Sequence, residues 1–110
     1  MKRILGAAAL IAALASVAQA ETGRSKAFVG EIQRRAVQMQ ARDGSGSTQA
    51  VQAYVSVKTA AGAAPAQAQM QAAGRFAASA GCRGTNALAT ILAGVTATAA
   101  EFEVLCRGGQ

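Results

Sequence analysis

The stretch Cys82–Cys106, CRGTNALATILAGVTATAAEFEVLC, decides how this chain is read. Leu88, Ile91, Leu92, Val95, Ala99 and Phe102 fall at helical spacing, and Thr85 or Asn86 could cap such a helix. A single helix over residues 86–106 would be about 30 Å long at 1.5 Å per residue. It would hold Cys106 far from Cys82, whereas the Cα atoms of a disulfide lie within about 7 Å. An unbroken helix and an intramolecular bridge therefore exclude each other. Gly94, Thr96 and Thr98 weaken the helix, and residues 101–106 alternate with Phe102, Val104 and Cys106 on one face. The expected structure is a helix to about Ala97, then a return strand that brings Cys106 back to Cys82.

The bridge is preferred because of the opposite end of the chain. Lys2 and Arg3 open the sequence, residues 4–17 form an uncharged run of 14, and Ala18-Gln19-Ala20 places small residues before a cut. Charged start, apolar middle and small-residue exit are the parts of a cleavable signal peptide, expected here over residues 1–20. The run is shorter than the roughly 20 apolar residues of a membrane-spanning helix. Export leads to an oxidising compartment, periplasmic or extracellular, where two cysteines have one intramolecular pairing. Residues 21–110 are then a single small exported domain.

Without Lys2 and Arg3, nine basic residues face five acidic ones, a net charge of +4. Alanine inflates the hydrophobic fraction. Only 18 large apolar side chains follow residue 20, enough for a thin core that a bridge or a partner subunit would supplement.

Working outward, residues 25–42 read as an amphipathic helix with Phe28, Val29, Ile32, Ala36 and Met39 on one stripe and Ser25 as N-cap. Residues 43–47, Asp-Gly-Ser-Gly-Ser, would end that helix. Residues 51–58 alternate as a half-buried strand, with Val51, Ala53, Val55 and Val57 on one face. A short helix from Thr48 is the alternative. Residues 59–81 are rich in Ala and Gln, with Pro65 suited to a helix start and Gly81 to its end; such a helix would pack through small residues. The strand over 101–106 could pair with that over 51–58. The fold expected is α+β: amphipathic helices packed on a short antiparallel sheet, with one disulfide. Without the bridge, an all-α helical bundle would be the better reading.

No histidine is present, which removes the commonest general base and metal ligand. Glu101 and Glu103 would share a strand face, and two close carboxylates can serve acid–base chemistry. Charged side chains on the outer face of an edge strand explain them more simply. Residues 43–47 lack the later acidic ligands of a calcium loop. Residues 82–86 combine a glycine, a cation and a helix start, as anion sites do. Arg24, Lys26, Arg34, Arg35 and Arg42 form the largest basic cluster, able to meet an anionic membrane or envelope surface. Aromatic interleaving is sparse, which argues against nucleic acid. No catalytic residue, metal site or cofactor is expected. The function expected is that of an exported, non-catalytic protein that binds another protein, itself included, or serves as a structural subunit. Peripheral association with an anionic surface through residues 24–42 is the alternative.

Overall fold

Val51, Ala53, Val55 and Val57 do alternate on a strand, and that strand is the axis of the molecule. The computed structural model describes residues 19–40 and 43–107. In chain order these form β1 (Gln19–Arg24), β2 (Phe28–Gln40), β3 (Ser47–Thr59), a 3-10 turn (Gln67–Gln69), α1 (Met70–Gly81), β4 (Ala87–Val95) and β5 (Ala100–Arg107). The strands make one antiparallel sheet in the order β1-β2-β3-β5-β4. The protein is mainly β, which overturns both the α+β expectation and the all-α alternative. The signal-peptide reading of residues 1–20 falls outside the described residues up to Ala18; Gln19 and Ala20 open β1.

Two expected helices are strands. Residues 25–42 contain β2, which pairs along its whole length with β3. Its inward positions run Phe28, Gly30, Ile32, Arg34. Ser25 caps a hairpin turn instead of a helix: its hydroxyl accepts a hydrogen bond from the Phe28 N–H at 3.1 Å. Asp43–Gly46 lies in the β2–β3 connection and Ser47 opens β3; there Gly44 (φ 75°) supplies a left-handed turn conformation and the Asp43 carboxylate accepts from the Ser45 N–H at 2.9 Å. Residues 87–95, expected to be helical, form β4 at the edge of the sheet. β5 pairs with β3 over Ala50↔Arg107 to Val57↔Ala100 and with β4 on its other side. It is therefore an interior strand, and Glu101 and Glu103 do not guard an edge.

α1 lies across one face of the sheet, in contact with β2, β3, β4 and β5. It follows the 3-10 turn, with Pro65 further upstream. Its packing face is Ala73, Ala77 and Gly81, all buried. These small residues let the helix come close to the fully buried Ile32, Val55, Val57 and Val104. Phe76 fills the remaining space. Gly30 makes this possible: a Cβ there would stand 2.9 Å from the Phe76 ring and 3.1 Å from Val55 Cγ1. Phe28 completes the pair, its ring centroid 5.7 Å from that of Phe76. Among the described residues, no helix covers the opposite face of the sheet. Tyr54, Arg35 and Gln52 lie there, with Arg35 Nε donating to Gln52 Oε1 at 3.2 Å.

Candidate functional site

Hydrogen bonds, ion pairs and the disulfide converge at the C-terminus of α1. Arg34 projects from β2 toward it and is 6 % exposed. Its Nε donates to the Gly81 carbonyl at 2.7 Å and its Nη2 to the Ala80 carbonyl at 2.8 Å. Carbonyls in the last helical turn have no intrahelical donor and carry the negative end of the helix dipole, so a buried cation suits them. Arg34 Nη1 also donates to the Glu21 carboxylate on β1, and Arg83 Nη2 donates to the same oxygen at 3.1 Å. The chain leaves the helix in a Schellman turn. The Gly84 N–H donates to the Ser79 carbonyl at 2.9 Å and the Arg83 N–H to the Ala80 carbonyl at 3.4 Å. Arg83 holds the left-handed position with φ 54°, where glycine is usual.

The disulfide sits in the same place. Cys82 is the C-cap of α1 and bonds Cys106 of β5, with Cα atoms 5.4 Å apart. One end of the helix is thus covalently tied to an interior strand, hydrogen-bonded to Arg34 of β2 and, through Arg83, ion-paired with Glu21 of β1. The bridge belongs to an oxidising environment. Among the described residues, no helix is long and apolar enough to cross a membrane.

The arginine bonds hold the Glu21 carboxyl below its ordinary value of 4.5, through Arg34 first and Arg83 second. A carboxylate with a depressed folded pKa adds stability above its unfolded pKa, and that stability is lost as pH falls through the folded value. Wild-type stability is therefore expected to decline below about pH 4.5 more steeply than that of Glu21→Gln. Urea midpoints measured between pH 3 and pH 7 test this; parallel curves would contradict it.

The basic cluster expected from the sequence is dispersed. Arg34 faces the helix and is consumed by the junction. Arg35, its chain neighbour, points to the open face. Arg24 ends β1, and Lys26 lies in the turn that follows. Arg42 lies outside the described residues. Residues 82–86 follow a helix C-terminus and lead into a strand, so no helix N-terminus stands there to attract an anion. Glu101 accepts a hydrogen bond from the Ser56 hydroxyl at 2.9 Å, within the open face.

Another feature was hidden in the helical reading. Among the described residues, Leu88 (46 %), Ile91 (55 %), Leu92 (44 %) and Val95 (54 %) are large, apolar and exposed, and all four lie on β4. The strand reads ALATILAGV and carries no charge. It is last in the sheet order, so among the described residues its outer backbone donors and acceptors have no strand partner. Edge strands are ordinarily protected by charge, proline or a covering segment. Beside it runs a groove of about 410 Å³ between α1 and the sheet, lined by Met70, Gly74, Thr90, Leu92 and Phe102 and bordered by Arg75. The sequence signal was the run from Ala87 to Ala100 without a charged residue, which suits an edge made for pairing as well as a buried helix stripe.

Among the described residues, these features define a mainly-β domain: a five-stranded antiparallel sheet, one α-helix over one face, and a disulfide from the helix end to an interior strand. No protein-family model, curated protein or solved structure matches the sequence.

Proposed function

We propose that this chain is an exported, non-catalytic protein that acts by binding a polypeptide along the β4 edge. The observation that supports it is the uncharged strand Ala87–Val95 at the end of the sheet, with its exposed leucine, isoleucine and valine side chains. An extended segment laid against such an edge gains main-chain hydrogen bonds, and alternate side chains find pockets on either face. The groove under α1 would take side chains on one face; a smaller depression of about 140 Å³, lined by Gln52, Ala89, Ile91, Glu103 and Leu105, would take them on the other. Export is supported by the bridge, which would persist in an oxidising compartment, and by the signal-like start of the sequence.

Site-specific photo-crosslinking tests this. A photoreactive residue replacing Ile91 in the full chain, produced and exported by its cells, should form a polypeptide adduct that survives high salt. The same group replacing Lys58 on the open face should form none. Absence of an adduct at position 91, or adducts confined to the neighbourhood of Arg24 and Lys26 that vanish at high salt, would overturn the proposal in favour of an anionic surface.

A further inference from the structure

The occupant of the β4 edge can be specified from the charges on either side of the strand, an inference that rests on the polypeptide-binding reading above. We infer that β4 takes an extended segment whose charges are sorted by face, acidic toward α1 and basic toward the open side of the sheet. Between its two irregularities β4 pairs regularly with β5. Over that stretch Thr90 and Leu92 oppose the buried Val104 and Phe102 on the helix side, and Ala89 and Ile91 oppose Leu105 and Glu103 on the open side. A segment laid against β4 would alternate in the same way, since residues opposite one another in a ladder share a face. Each of its side chains therefore meets one of two environments.

Those environments differ in sign. Among the described residues, Arg75 is the one charged residue lining the groove on the helix side, and Glu103 the one lining the depression around Ala89 and Ile91 on the open side. Gly74 lies over the Phe102 ring, which a Cβ there would approach to 3.4 Å, and Phe102 opposes Leu92. Arg75, next in the helix, is therefore held level with the Leu92 end of the groove. Neither Arg75 nor Glu103 forms an ion pair or a side-chain hydrogen bond among the described residues. Glu101, opposite Gly94, adds a second carboxylate on the open side, whereas Arg35 stands three strands in from β4. Glu103 lies on β5, so a strand added to β4 would run two strand spacings from it, about 9.5 Å. A lysine or arginine opposite Ile91 would cross that distance with its stem over the Ile91 side chain and its charge at Glu103. A glutamate or aspartate opposite Thr90 or Leu92 would face Arg75. A second copy of the uncharged β4 meets neither requirement, and an anionic surface meets only that of Arg75.

Fluorescence anisotropy on the full exported chain, disulfide intact, tests the inference. The probes are two labelled peptides of identical composition and of nine residues, the length of β4. One places its glutamates on one face of the extended chain and its lysines on the other; the second mixes both on each face. The sorted peptide should bind the wild type about tenfold more tightly than the mixed one. Arg75→Glu and Glu103→Lys should each weaken the sorted peptide about fivefold. The double variant should bind it better than either single variant, because a one-residue slip exchanges the peptide's faces. Neither side chain carries a bond in the fold, so all three variants should keep the wild-type circular dichroism. Equal binding of the two peptides, binding of neither, or a double variant no better than the single ones would each overturn the inference. If the peptides fail in any of these ways while position 91 still crosslinks to another polypeptide, the sorting by charge fails and the edge-binding reading stands. An adduct of twice the chain's mass would make the occupant a second copy and would also overturn the inference. If neither peptide binds and position 91 forms no adduct, both fail.

Discussion

Arg34→Met should lower the unfolding free energy by about 3–5 kcal/mol, chiefly through the two charge-assisted hydrogen bonds that its buried guanidinium makes to the helix end. Methionine is nearly as long as arginine and fills most of its volume, so the loss reports bonds more than packing. Two charge-assisted hydrogen bonds to the Gly81 and Ala80 carbonyls disappear, each of a kind that contributes roughly 1.5–3 kcal/mol. The two carbonyls are left at the end of a helix that has no other basic side chain in its last turn. Arg35→Met is the control. It removes the same charge from the next residue, but on the open face, and should change stability by less than about 0.5 kcal/mol. Urea unfolding of both variants with the disulfide intact makes the comparison. Equal losses would mean that Arg34 is not the link between sheet and helix.

The second large effect belongs to the bridge. Replacing Cys82 and Cys106 together with alanine should cost about 3.5 kcal/mol in the chain-entropy model, for a closed loop of about 25 residues. Alanine is preferred because both positions are buried in the core and a serine hydroxyl would have to be satisfied there. The loss matters because the core is small: its largest fully buried side chains are one isoleucine and three valines. The closed loop contains all of β4, so without the bridge β4 should detach from β5 more often and the protein aggregate more readily. Unfolding curves and thiol alkylation of the exported protein check this. A folded product with two free thiols would contradict it.

The sequence was legible where strand alternation is undisturbed. Val51 to Val57 and Phe102 to Cys106 present apolar residues at every second position, and these strands pair with one another. The cysteine geometry correctly forbade a helix running to Cys106. It could not tell where the chain turned back, because a bridge only fixes its two ends. Cys82 proved to close the preceding helix, and residues 87–95 turned at once into a strand.

The two misread segments have separate causes. On β2 the inward face runs Phe28, Gly30, Ile32, Arg34. Gly30 is small to admit Phe76, and Arg34 is charged to meet the helix end. Both break the apolar alternation, and the remaining apolar residues happen to fit a helical period. On β4 the irregularities at Leu88 and Ala93 shift the alternation twice within nine residues. Leu88, Ile91, Leu92 and Val95 then fall at intervals of three, one and three, as on a helix. Tertiary contacts that sequence periodicity does not contain decided both segments.

The basic cluster was misread for a related reason. Arg34 and Arg35 flank an apolar stripe on a helix but lie on opposite faces of a strand. Once β2 is a strand, one of them must be buried, and the helix terminus makes that burial favourable. What remains of the cluster is spread between a hairpin turn and the open face. The exposed apolar residues of β4 then become the more distinctive surface.

Backbone NMR of the oxidised chain tests the fold most directly. Residues 28–40 and 87–95 should show strand-type Cα shifts, with cross-strand contacts between Ile32 and Val55 and between Leu92 and Phe102. Helical shifts and sequential amide contacts over residues 87–95 would contradict it, and with it the edge on which the proposed binding depends.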